Sequence, residues 1–71
     1  MSYMIIHLIQ FLLRECVLTK KELARKIGVS YRCLLDVASG HGSRRNCTEV
    51  VKHLLRFCVQ NRIPLERAFE E

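Results

Sequence analysis

"TKKELARKIGVSYRCLLDVASG", residues 19–40, decides the fold. Thr19 and Glu22 stand at the spacing of a capping box, so a helix is predicted from Lys20. Leu23, Ala24 and Ile27 supply its apolar face. Gly28 stops it, because glycine enters the left-handed region without a Cβ penalty. Val29 plugs the corner from within, and Ser30 caps a second helix from Tyr31 to about Ser39. Leu34, Val37 and Ala38 face inward on it, leaving Tyr31, Arg32, Leu35, Asp36 and Ser39 largely outside. A helix, a tight glycine turn and a second helix predict a helix-turn-helix, with the small Ala24 where the two cross.

Upstream, Ile5, Ile6, Leu8, Ile9, Leu12, Leu13 and Cys16 cover one broad arc of a helical wheel, with Ser2 as a candidate cap. His7, Gln10 and Arg14 mark the opposite side. Met4 and Phe11, seven residues apart, fall on a flank outside that arc. They are either incidental surface residues or contacts to a second chain.

Downstream, "GHGSRRN" is predicted as a basic loop. Asn46 and Glu49 then suggest a second capping box and a helix through about Asn61. Its stripe is Val50, Val51, Leu54, Leu55 and Cys58, with Phe57 and Val59 at the margins. Pro64 opens a short fifth helix with Leu65, Ala68 and Phe69 on one face. The expectation is one domain, residues 1–71: an all-α, compact five-helix bundle. A chain of 71 residues buries only about 60% of its unfolded surface, so the core must be efficient.

The formal charge is +5, which favours an acidic partner such as nucleic acid or a membrane surface. Between Arg14 and Arg62 stand eleven Lys or Arg residues against four acids, while Glu66, Glu70 and Glu71 close the chain. The four cysteines, Cys16, Cys33, Cys47 and Cys58, form no CxxC pair, so no zinc site or other metal is expected. Free thiols suit a reducing cytoplasm. The run from Met4 to Leu13 is broken by His7 and Gln10 and falls far short of the ~20 residues of a membrane span. His7, His41 and His53 lack partners at catalytic spacing and read as solvated, so no enzyme and no cofactor are expected.

The stretch "LTKKELARKIGVSYRCLLDVASG" resembles the helix-turn-helix of the lambda-type phage repressors and Cro proteins. The flanking apolar helix, basic loop and two further helices extend the likeness over residues 4–70. The resemblance implies a small, cytoplasmic, bacterial or phage-encoded transcriptional regulator. It would bind double-stranded DNA as a homodimer on a palindromic operator, with helix 31–39 in the major groove.

Position by position, the resemblance puts Thr19 and Lys20 at a phosphate and has Ser30, Tyr31 and Arg32 open the recognition helix. Arg32 can pair with guanine O6 and N7; Tyr31 reaches a phosphate or a base edge. Asp36 takes a base-reading position, and Ser43, Arg44 and Arg45 correspond to the loop that grips the backbone. Leu35 departs from the pattern, which usually has a polar residue there. It fits either a thymine methyl group or a protein surface. Arg32 and Asp36, one turn apart, can also neutralise each other. Candidate dimer residues are Met4, Phe11, Leu65 and Phe69. The second reading is a protein-interaction module, an antirepressor or adaptor, on the same fold, with a protein partner.

Overall fold

Local signals stop every helix of this chain and start all but the first in the computed structural model, which describes residues 2–69. The described residues form four α-helices: α1 (Ser2–Glu15), α2 (Lys20–Ile27), α3 (Tyr31–Ala38) and α4 (Arg44–Gln60). A 3-10 turn, Leu65–Phe69, follows. No strand occurs among them. The expected fifth helix is therefore a single tight turn. Its one buried anchor is Ala68, and five residues are too few to propagate an α-helix. The Ser2 side chain, Glu70 and Glu71 lie outside the described residues.

All four helices end in the same way. The residue beyond the last turn takes a positive φ, and the next amide reaches back to a carbonyl five residues earlier. For α2 and α3 that residue is Gly28 (φ 88°) or Gly40 (φ 82°). For α1 and α4 it is Val17 (φ 52°) or Arg62 (φ 55°), with Leu18 bonding Leu13 and Ile63 bonding Cys58. Gly28 is needed for its backbone, not for room, since a Cβ there would meet only the His53 ring at ordinary distance. Gly42 is the opposite case: a Cβ would lie 2.6 Å from the Val37 side chain.

The core runs through Ile9 and Leu12 of α1, Leu23 of α2, Leu34 and Val37 of α3, and Val50, Leu54 and Cys58 of α4. Truncating such a leucine to alanine typically costs about 2–5 kcal/mol. The radius of gyration, 10.9 Å, is close to the roughly 11 Å expected of a compact chain this long.

Three expectations about burial change. Phe11 is in the core, not on an open flank. His7, Phe11 and Glu15 follow one another at intervals of four, a single line along α1. The 3-10 turn lies over that line: His7 donates from Nε2 to the carbonyl of Ala68, and Glu15 pairs with Arg67 at 3.4 Å. Phe11, between these two clasps, is covered. It is thereby withdrawn as a dimer contact.

His7 itself is a half-buried clasp, its ring 5.6 Å from that of Phe69, and not a solvated group. His53 does the same work elsewhere, donating from Nδ1 to the Ile27 carbonyl at 2.9 Å. That carbonyl is an unpaired acceptor at the end of α2, so the imidazole ties α4 to the corner at Gly28.

The third change is in α4. Of its expected stripe, Val50, Leu54 and Cys58 are buried, but Val51 is half-buried and Leu55 is exposed; of the margin residues Phe57 is half-buried and Val59 exposed.

Candidate nucleic-acid interface

Three helix starts are built alike. Each is capped by a hydroxyl that accepts the amide three residues on: Thr19 from Glu22 (3.1 Å), Ser30 from Cys33 (3.0 Å) and Ser43 from Asn46 (3.1 Å). Each puts basic side chains within two residues of the cap: Lys20 and Lys21 after Thr19, Arg32 after Ser30 and Tyr31, Arg44 and Arg45 after Ser43. Ser43 thus takes the capping role expected of Asn46, and α4 begins two residues before that expected cap. A serine hydroxyl meets the same geometric demand three residues after Gly40. Arg44 and Arg45 accordingly sit in the first turn of α4, not in a loop.

The starts differ in their acids. In α2 the box closes: the Thr19 amide donates to Glu22 Oε1 at 2.9 Å. Chiefly that amide, then the Thr19 hydroxyl, hold the Glu22 carboxyl below its usual range, with Arg25 and Lys26 adding to the effect. Glu22 is therefore ionised and takes up part of the positive end of the helix. In α4 the first turn holds no acid, and among the described residues neither Arg44 nor Arg45 forms an ion pair. Two cations at the positive end of a helix oppose its dipole, at a cost of about 0.3–1 kcal/mol each.

Tyr31 lies beside the outer face of α2. With Thr19, Lys21, Glu22, Arg25 and Val29 it lines an open trough of about 660 Å³. The starts of α2 and α3 thus share one surface. Lys21 and Arg25, four apart on α2, belong to it, although sequence reasoning did not single them out. Their spacing was the available signal. Lys20 is exposed beside them.

Further along α3, Arg32 pairs with Asp36 at 3.5 Å. The Arg32 side chain is 86% exposed, so this pair is weak and opens readily to a stronger partner. Leu35 and Asp36 are half-buried, less open than expected, while Tyr31 and Arg32 are exposed. The start of α4 approaches the other end of α3, where Gly42 packs on Val37.

The cysteines are all free, and burial pushes the Cys33 and Cys58 thiols up. Among the described residues no three His, Cys, Asp or Glu side chains converge as a metal site would require. No described helix is long and apolar enough to cross a membrane.

Of the expected dimer residues, Met4, Leu65 and Phe69 come together, away from the trough, in an apolar groove shared with Leu55. Comparison with protein-family models, with curated proteins and with solved structures finds no match.

Proposed function

We propose that this chain is a small DNA-binding regulator of the helix-turn-helix type, with α3 as the recognition helix and α2 crossing the backbone. The observation that carries the reading is the start of α4. Arg44 and Arg45 oppose the helix dipole there with no acid to offset them, an arrangement that costs stability and that a phosphate would reverse. Local rules broken without local compensation mark functional positions. The trough adds Lys21 and Arg25 to the backbone contacts expected of Thr19, Lys20, Ser30 and Ser43. Arg32 is the base reader, released from Asp36 to pair with guanine. Asp36 then becomes free to accept from cytosine N4, and Tyr31 and Leu35 border the same edge.

The resemblance to the lambda-type repressors supports this reading, and a homodimer on a two-fold operator belongs to it. Selection of bound sequences from a random DNA pool, repeated across salt, tests it. Enrichment of one two-fold site, with affinity falling steeply as salt rises, is the expected outcome. No retention at low salt would sink it.

The second reading is the interaction module. It is favoured by the exposed apolar groove, which a purely DNA-bound monomer would leave open. A partner seated there would bind with little dependence on salt.

A further inference from the structure

Among the described residues two side-chain hydrogen bonds join distant parts of the chain, His7 to Ala68 and His53 to Ile27, while every other stays within five residues. Among those residues the second is also the sole hydrogen bond between α4 and the corner that links α2 to α3. The carbonyl it reaches stands where α2 stops. Gly28 and Val29 both give their amides to Ala24, at 2.9 and 3.0 Å, so neither amide of the corner serves Ile27. The imidazole meets that need from 26 residues away. Its ring lies beside the glycine, where a Cβ would meet Nδ1 at 3.7 Å and Cε1 at 3.9 Å. We infer that His53 is a positioning residue for sequence reading, setting the angle at which α3 leaves the corner relative to the arginines at the start of α4.

The two ends of α3 are held differently. At the far end the contact is packing, with Gly42, two residues ahead of Arg44, pressed on Val37. At the near end the Ser30 cap lies within α3 itself and sets no angle to another helix. The His53 bond crosses from α4, and a hydrogen bond has a preferred direction that apolar packing lacks.

The angle matters because of where Arg32 sits. It lies one turn beyond the corner, which puts its guanidinium on the order of 10 Å from Gly28. A rotation of about 10° at the corner then moves it by about 2 Å, several times the ~0.5 Å within which a recognition geometry is held. A bidentate pair with guanine does not survive such a shift. Attraction to phosphates does, since it depends on the charges and little on their angle. His53 therefore acts on discrimination, and the arginines of α4 on affinity.

This inference rests on the DNA-binding reading for its consequence, while its geometric half is read without DNA. Nitrogen-15 NMR of the unaltered chain should find the neutral His53 ring carrying its proton on Nδ1, so the inference stays exposed even if a variant fails to fold. Residual dipolar couplings give the angle between α3 and α4. It should change in His53→Leu, which lacks the donor, and return in His53→Asn, whose carboxamide N–H can serve the same carbonyl. On DNA, His53→Leu should lower the ratio of selected-site to random-DNA affinity by about tenfold or more. The salt slope should hold, and His53→Asn should restore the ratio. Partial unfolding lowers both affinities by one factor and leaves that ratio alone.

A neutral ring protonated on Nε2, or an angle indifferent to both substitutions, overturns the inference. So does a ratio that His53→Leu leaves intact or that both variants lose alike. A parent chain that binds no DNA while the angle still follows His53 sinks the regulator reading and leaves the corner set by His53.

Discussion

The starts of α2 and α4 read "TKKE" and "SRRN", Thr19 to Glu22 and Ser43 to Asn46. Hydroxyl cap, two cations and a capped third amide are common to both. They differ in the last letter. Glu22 returns a carboxylate to its own cap, while Asn46 brings no charge. One helix start is neutralised from within and the other is left positive. The same motif is thus complete as structure in α2 and incomplete in α4. On the proposed function, the open cap with its two arginines is where a DNA phosphate would sit. The difference separates stability from binding and can be tested from both sides.

The largest effect is expected from removing the cations of α4. Arg44→Ala with Arg45→Ala should weaken specific and random DNA alike, by about 1.5–3 kcal/mol for each charge-assisted hydrogen bond removed. The salt slope should flatten by about one unit for each phosphate no longer neutralised. The melting temperature should hold or rise, because two cations leave the positive end of a helix. Filter binding across salt, with thermal melts beside it, reads both. A fall in stability would show that the arginines serve the fold instead.

The start of α3 supplies a contrast of another kind. Arg32→Ala should cost about 1–3 kcal/mol on the selected site and much less on random DNA. The pair with Asp36 that it removes is surface-exposed and contributes little to folding. Equal weakening on both DNAs would make Arg32 a backbone contact.

Exchanging the fourth letters sharpens the comparison further. Asn46→Glu gives α4 the closed box of α2. It should stabilise the protein by about 0.3–1 kcal/mol and weaken DNA binding by a similar amount. Glu22→Gln should do the reverse for DNA, tightening binding a few-fold while a neutral side chain keeps the box. If Glu22→Gln left DNA binding unchanged, the start of α2 would not face a phosphate.

The smallest effect is in pH. The folded Glu22 carboxyl titrates below its ordinary value of 4.5, so its contribution to stability is present above that value and fades as pH falls through the lower folded value. Thermal melts between neutral and acid pH should show a shallow loss that Glu22→Gln removes. Asn46→Glu should introduce a second such loss.

These features differ in how far they could be read in advance. The Thr19 box, the glycine at 28 and the Ser30 cap were legible, since each is settled within four residues of chain. The cap of α4 was misplaced because both Ser43 and Asn46 satisfy the local pattern. Only the path of the chain out of Gly42, pressed against Val37, chooses between them. The candidate reading residues kept their positions on α3, but the half-burial of Leu35 and Asp36 depends on what packs beside that helix.

By itself, then, the sequence determined an all-helical chain, the corner at Gly28, the caps of α2 and α3 and the excess of positive charge, because hydrogen bonds near in sequence and composition need no tertiary partner. Tertiary structure decided what lies across each helix. A wheel assigns every apolar residue of a helix to a face, yet burial requires a neighbour long enough to cover that face. The 3-10 turn reaches along His7, Phe11 and Glu15 and buries a phenylalanine that the wheel left outside. Leu55 of the α4 stripe and Val59 at its margin are not closed over and stay exposed. Covering or sparing an apolar surface is a long-range matter, and it is there that the groove arose.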